Sequence, residues 1–269
     1  MDGRGSVAVK ALVLAAAILL GGCGERAFTV CADPNNMPFS NQRGEGLENK
    51  LAELVARDLD AELRYVWWSQ RRGWMRETLG AGKCDAWMGV PSGLETLSTT
   101  RPYYRSGYVF VSRRDSPLAG LTLDDPRLRD VDIGVQLAGD DGANPPPAAA
   151  LTRRGLTART RGFTLYGDNR EADPAADVIR AVERGEVDVA MAWGPLAGWH
   201  ASRSRVPLRL EAVTPWMDED RWPMVFDISV GVAKDNQELR REIDDSLARN
   251  RSAVARIVQA FHVPLSPGG

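Results

Sequence analysis

Three tryptophans, Trp67, Trp68 and Trp74, stand around Gln70 and the paired Arg71 and Arg72. Flat rings beside guanidinium groups make either a small-molecule pocket or the anchor of a protein–protein contact, and paired arginines suit carboxylate or acidic partner groups. The plain alternative is packing at a strand end, with the arginines on a solvated helix start. Upstream, Asp33, Asn35, Asn36 and Phe39 share a loop rich in Pro and Asn. They are candidate ligand contacts, although Asx side chains in such loops also bond their own backbone. Downstream, Pro91 and Ser92 follow an apolar run, and Arg101, Tyr103 and Tyr104 flank the stiff Pro102, as ligand contacts or as hinge-side structure. Trp193 is the candidate that would lid these residues from the far half of the chain. Trp199, Trp216 and Trp222 suit either inter-lobe packing or a partner contact, while "DEDRW" (218–222) reads as a solvated loop.

Nothing here is assembled for bond-making. His200 and His262 lack the elbow context of a nucleophilic hydrolase. The three cysteines contain no Cys-x-x-Cys, which makes a zinc site improbable. Asp140 and Asp141, in "GDDGAN", read as turn formers, because a hard-cation loop needs more carboxylates. No cofactor, metal or enzymatic activity is expected. With 34 basic and 36 acidic residues interspersed, for a net charge of −2, no basic face for nucleic acid is implied.

These residues need a scaffold, and the pattern supplies an alternating one. "AFTVCAD" (27–33), "AELRYVWW" (61–68) and "CDAWMGV" (84–90) read as strands. Between them, "LENKLAELVARDL" (47–59) is an amphipathic helix and "RRGWMRETLGAG" (71–82) a short helix ended by glycines. "YVFVSRR" (108–114) continues as a strand into a polar loop, "DSPLAGLTLDDPRLRD" (115–130). The same grammar restarts with a strand and Gly-rich loop in 131–148, a helix at 149–155, an extended segment at 158–168, a helix at 174–185 and a strand at 187–193. "LRLEAVTP" and "FDISVGVAKDN" precede one last amphipathic helix over 237–261. This is an α/β pattern of parallel sheets with crossovers. "AGKCDAWMGVPSG" (81–93) and "RGEVDVAMAWGPLAG" (184–198) occupy equivalent places in two such units. Asp85 and Asp188 open their strands at the end away from the ligand-binding edge and are read as structural, satisfying backbone N–H groups.

At the start, a positive n-region and "ALVLAAAILLGG" match a signal-peptide core, too short to span a bilayer. The "LLGGC" that follows resembles a bacterial lipobox, so residues 1–22 are expected to be a lipoprotein-type signal peptide and Cys23 the lipidated residue; an ordinary cleaved signal is the alternative. Export leaves Cys31 and Cys84, which in an oxidising compartment read as a disulfide, two buried thiols being the alternative. If the first strand lies between the second and third, the two cysteines sit on adjacent strands.

Two α/β lobes behind an export signal resemble a bacterial periplasmic solute-binding protein of the type II kind, with a double-crossover hinge and an inter-lobe cleft. The resemblance assigns 26–113 and 217–264 to lobe 1 and 114–216 to lobe 2. Amino-acid-binding members hold their zwitterion with an Arg after the strand equivalent to "CDAWMGV" and an Asp after that equivalent to "VDVAMAW". Here Gly93 and Trp193 stand near those places, so free amino acids are not the expected ligand.

C-A-D-P-N-N-x-P-F-S-N, W-W-x-Q-R-R-G, C-D-x-x-M-G-V-P and T-R-P-Y-Y-R-S together resemble a narrower family, the quinoprotein-dehydrogenase-associated periplasmic binding proteins of the MxaJ/XoxJ type. The likeness is strong over 29–111 and looser over 131–262. It implies a non-enzymatic, monomeric periplasmic accessory of methanol oxidation. Its partner would be a PQQ-dependent alcohol dehydrogenase, with that enzyme's cytochrome c as a further candidate, and a small molecule could occupy the cleft. Contact with a membrane would be through the lipid anchor alone. The competing reading is a receptor that delivers a small polar solute, other than a free amino acid, to an ABC transporter.

Overall fold

The computed structural model describes residues 26–70, 73–137, 144–164 and 173–267. Strand β1 (Ala27–Ala32) enters a small antiparallel pair, β2 (Asn35–Asn36) and β3 (Ser40–Asn41), and then helix α1 (Leu47–Asp58). β4 (Glu62–Trp67), the single-turn α2 (Trp74–Glu77) and β5 (Ala86–Pro91) follow. β1 lies between β4 and β5 and runs parallel to both. Alternation along β1 explains why both its faces are covered. Phe28 and Val30 pack with Leu47, Leu51 and Val55 of α1, while Cys31 packs on the other face with Leu79 and Trp87. α1 begins at Gly46, where the buried Asn49 accepts hydrogen bonds from the backbone N–H groups of Gly46 and Asn41, satisfying donors at the helix start.

β6 (Ser98–Thr99) leads to the ten-residue β7 (Tyr104–Arg113), which carries the chain into a second half. There β8 (Ile133–Leu137), α3 (Pro146–Arg153), β9 (Thr160–Thr164), α4 (Asp177–Arg184), β10 (Val189–Trp193), α5 (Gly194–Ala201) and β11 (Leu208–Ala212) repeat the plan. β8 lies between β9 and β10, parallel to both, as β1 does in the first half. A hairpin, β12 (Met217–Asp218) and β13 (Trp222–Pro223), precedes β14 (Val225–Val232), which returns to the first half and ends in α6 (Gln237–Arg249) and α7 (Arg251–Ala260). The start of β7 pairs with β14, and its remainder pairs with β10 and β11. These two long strands are the double crossover of a two-lobed α/β fold, joined in one continuous sheet.

The repeated phrase has one explanation in both halves. Gly82 and Gly185, both at positive φ, end a helical turn. The aspartate that follows then closes a two-bond clasp onto the neighbouring strand. Thr29 N donates to Asp85 Oδ2 at 2.7 Å and Asp85 N donates to Thr29 O at 2.8 Å. Asp132 N donates to Asp188 Oδ2 at 2.8 Å and Asp188 N donates to Asp132 O at 2.9 Å. Each clasp spans 56 residues.

Two expectations are corrected. The last helix is two, α6 and α7, divided at Asn250, whose side-chain amide donates to Asp58 Oδ1 and to Ser246 O instead of continuing on a helix face. The "polar loop" over 115–130 buries Leu118, Leu121, Leu123 and Leu128 in the second-half core beside Ile133 and Val135. Their spacing follows neither a helical nor a strand period, so the pattern hides them.

Candidate functional site

In parallel sheets the ligand edge lies at the carboxyl ends of the strands. Here Pro91 at the end of β5 is paired with Ile228, beside Tyr104, and Trp193 at the end of β10 is paired with Tyr108. The carboxyl ends of β5 and β10 therefore both lie against the crossover strands β7 and β14.

Asp33 is 5 % exposed and committed to backbone: Oδ1 accepts from Asn35 N at 2.8 Å and Oδ2 from Gln70 N at 2.7 Å. It ties the loop after β1 to the loop after β4, and the Asn36 amide adds a bond to Gln70 Oε1. The carboxylate is a clamp between exit loops. Phe39 reaches out of the first half and packs against the second-half cluster of Val109, Val111, Ala192 and Leu196. Asn35 and Asn36 are half-buried in β2.

The three tryptophans around Gln70 take three different partners. Trp67 stacks on Tyr65 with ring centres 4.6 Å apart. Trp68 is 36 % exposed, with Lys83 Nζ 4.7 Å above its ring. Trp74 packs on Trp87 at 3.9 Å, in the cluster that holds the Cys31–Cys84 disulfide. Arg71 and Arg72 lie outside the described residues, as do Asp140, Asp141, Cys23 and residues 1–25 as a whole.

Pro91 and Ser92 face the return crossover: Ser92 N donates to Asp227 O at 2.8 Å, and its hydroxyl is hydrogen-bonded to that of Ser229. Arg101 exposes its side chain, while its backbone N–H donates to Asp244 Oδ1 at 2.7 Å. Tyr103 accepts a hydrogen bond from Gly89 N at 3.2 Å, and Tyr104, 6 % exposed, is part of the first-half core. Trp193 sits edge-on to both Tyr108 (5.4 Å) and Phe226 (5.9 Å), on the two crossover strands. Trp199 likewise stacks on Phe261 of the first half at 4.9 Å. Trp193 is thus a hinge-packing side chain, with its backbone N–H held by Gln136 Oε1. Gly93 has open space where a side chain would project.

Several features carry no signal in the residue pattern. Glu48, in the first turn of α1, is 7 % exposed, and burial, with Asp33 nearby, pushes its carboxyl up to about 8. It is therefore neutral at pH 7, and burial raises the neighbouring Tyr103 and Tyr104 as well. His200 Nε2 lies 3.4 Å from Asp173 Oδ2, yet burial lowers the imidazole to about 4 and raises the carboxyl to about 6. The histidine is uncharged at neutral pH, so this contact is not a salt bridge there. A cavity of about 950 Å³ lies between the crossover strands and α6–α7, lined by Arg101, Tyr103, Tyr104, Leu247, Arg251 and Val258 among others. In the expected solvated loop "DEDRW", Asp218 is instead 2 % exposed. No group of three or more metal-ligating side chains occurs among the described residues, and no helix among them is long and apolar enough to cross a membrane.

Residues 28–262 match the family of bacterial extracellular solute-binding proteins, family 3. The chain is 32% identical over 252 residues to Protein MoxJ of Paracoccus denitrificans, covering 88% of each chain. Its fold superposes on MxaJ from Methlophaga aminisulfidivorans MPT with a TM-score of 0.74 at 28% identity, covering 89% of this chain and 100% of that one. For the periplasmic binding protein XoxJ from Methylobacterium extorquens AM1 the TM-score is 0.71 at 34% identity, covering 89% and 99%. With this fold, and with relatives matched over nearly their whole length, the chain belongs to the bacterial extracellular solute-binding proteins of family 3 and, among them, to the MoxJ type.

Proposed function

We propose that the protein is an exported, non-enzymatic accessory of methanol oxidation that binds and assists a periplasmic PQQ-dependent alcohol dehydrogenase. The observation that carries this reading is the fate of the cleft's end residues. Trp193, where an amino-acid receptor of this fold would place a carboxylate, is packed between Tyr108 and Phe226. Gly93 offers no cation, and each oxygen of Asp33 is already engaged by a backbone donor. A buried ammonium or carboxylate without a charged partner is strongly disfavoured, so the cleft is poorly made for an amino acid. The likeness to MoxJ, MxaJ and XoxJ supplies the direction. Any quinone cofactor belongs to the partner. Lipidation at Cys23 would hold the complex at a membrane surface.

The test is capture of partners from periplasmic extract of methanol-grown source cells with the mature, unlipidated protein, read by mass spectrometry. A PQQ dehydrogenase should be enriched. Family membership itself favours a second reading, a receptor for a small polar solute. Absence of the dehydrogenase, together with a small molecule that raises the thermal midpoint, would establish that reading instead.

A further inference from the structure

Little chain separates the expected lipid from the fold. Arg26, where the described residues begin, is held on both sides: its carbonyl accepts from Glu62 N at 2.7 Å, and its guanidinium donates to Glu242 of α6, with one contact at 3.1 Å. Cys23, the expected lipidated residue, stands three positions before it. At ~3.3–3.6 Å per residue, three residues reach at most about 11 Å. A lipid on Cys23 therefore keeps Arg26 within about that distance of the bilayer surface.

Strand register measures how far the rest of the molecule stands from that point. Arg26 lies at the amino edge of the first-half sheet, where Ala27 of β1 pairs with Glu62 of β4. β1 has six residues, and Asp33 follows it about 20 Å from its start, at ~3.3 Å per residue. β5 runs parallel to β1, and β14 runs antiparallel to both β5 and β7, so β7 points the same way as β1. Ile228 is opposite both Pro91 and Tyr104, so β7 starts where β5 ends. Its ten residues carry the chain about 30 Å further out. At that far end Ser112 is level with Val189, and Val189 with Ile133, the first residue of β8. A tether of about 11 Å cannot bring down exit loops that lie about 20 Å from its root while the amino edge points away. The edge itself holds no spare cation for headgroups. Arg26 pairs with Glu242, Arg64 with Glu62 and Arg249 with Asp58, and Glu238 beside Arg26 adds negative charge. Adhesion there falls to the lipid, and two acyl chains suffice for stable anchoring.

We propose that the amino edge of the first-half sheet, marked by Arg26, Glu62 and Glu242, is the membrane-facing surface: a diacylglyceryl group on Cys23 seats it on the bilayer, and the exit loops and second half point away, toward soluble partners. The Cys23 sulfur forms a thioether to the glyceryl carbon of a phospholipid, whose headgroup phosphate leaves with the thiol proton, and cleavage before Cys23 makes it the first residue. The proposal rests on the export and lipidation included in the functional reading above.

The test uses the full chain, processed by an exporting Gram-negative host and extracted from its membranes. Mass spectrometry of the N-terminal peptide should find the diacylglyceryl mass on Cys23. With Cys31 and Cys84 bridged, Glu62→Cys and Arg129→Cys each add one free thiol for a fluorophore, Arg129 being an exposed residue just ahead of β8. In phosphatidylethanolamine/phosphatidylglycerol vesicles with nitroxide-bearing headgroups, the Glu62 label should be quenched several-fold more than the Arg129 label. An insertion of about fifteen Gly/Ser residues before Arg26, with a mean reach of ~20 Å, should bring the two close to equal. The mature chain made without its signal and with Cys23→Ser should not float with these vesicles. Equal quenching in the chain without the insertion, or stronger quenching at Arg129, overturns the orientation. An unmodified Cys23, or flotation of the Cys23→Ser chain, overturns the anchor. Capture of the dehydrogenase by the unlipidated protein is read separately, so the accessory reading and this surface can fail independently.

Discussion

The carboxyl of Glu48 occupies the space that a side chain at position 89 would need. A Cβ on Gly89 would lie 1.9 Å from Glu48 Oε1 and 2.7 Å from its carboxyl carbon, and Gly89 itself sits at φ +64°. The start of α1 and the end of β5 are thus interlocked beside Tyr103, which takes the Gly89 N–H. Gly89→Ala combines overpacking with a left-handed alanine and should destabilise the fold by roughly 2–4 kcal/mol. Urea unfolding of Gly89→Ala, Glu48→Ala and the pair forms a double-mutant cycle, in which Glu48→Ala should recover part of the loss.

Stability should fall as pH rises across the Glu48 window. Its folded carboxyl is raised from 4.5 to about 8, so between those values the native state binds a proton that the unfolded state has released. Its contribution is fully present below about pH 4.5 and lost as pH climbs through 8, with a slope of at most ~1.4 kcal/mol per pH unit. Comparing urea midpoints at pH 5.5 and 8 (roughly the two sides of that window) in wild type and Glu48→Gln checks this, since Gln should flatten the dependence and be the more stable at pH 8.

The two aspartate clasps share one geometry and differ in exposure, the Asp85 clasp half-buried and the Asp188 clasp exposed. Asp85→Ala strips the half-buried Thr29 N–H of its acceptor and should cost about 1–3 kcal/mol, whereas Asp188→Ala frees an exposed Asp132 N–H that water can satisfy and should cost less than about 1 kcal/mol. Asn, which retains a carbonyl oxygen at the same place, should cost less. Amide exchange at Thr29 and at Asp132 reads each site directly, and protection lost at one should leave the other unchanged.

Reduction should weaken the first half. Cys31 and Cys84 are bridged across 53 residues, and a loop of that size stabilises by ~4 kcal/mol on the chain-entropy estimate. The Cys31→Ser/Cys84→Ser variant, and the wild type in reductant, should show the same lowered thermal midpoint, with no further effect of reductant on the variant.

The order of strands and helices, the duplication of the α/β unit, the pairing of Cys31 with Cys84 and the structural use of Asp85 and Asp188 were legible in the chain. These are governed by short-range rules: apolar period, glycine caps, and the need of a strand-opening N–H for an acceptor. Local pattern also located the exit loops, because they follow the strands directly.

Tertiary structure decided what the candidate residues do there. Asp33 became a clamp because Gln70, from another loop, brings its N–H to the second oxygen. The tryptophans at 67, 68 and 74 parted because a strand alternates its faces and the chain then turns under Trp87. Glu48 on an amphipathic helix reads as a solvated acid, and only the approach of a side-chain-free Gly89 buries it. "DEDRW" reads as solvated for the same reason, and the arginines that pair with Asp218 are Arg153, the last residue of α3, and Arg154, which follows it, 65 and 64 residues away. Burial of a charge depends on partners brought together by the fold, and no local period records who those partners are.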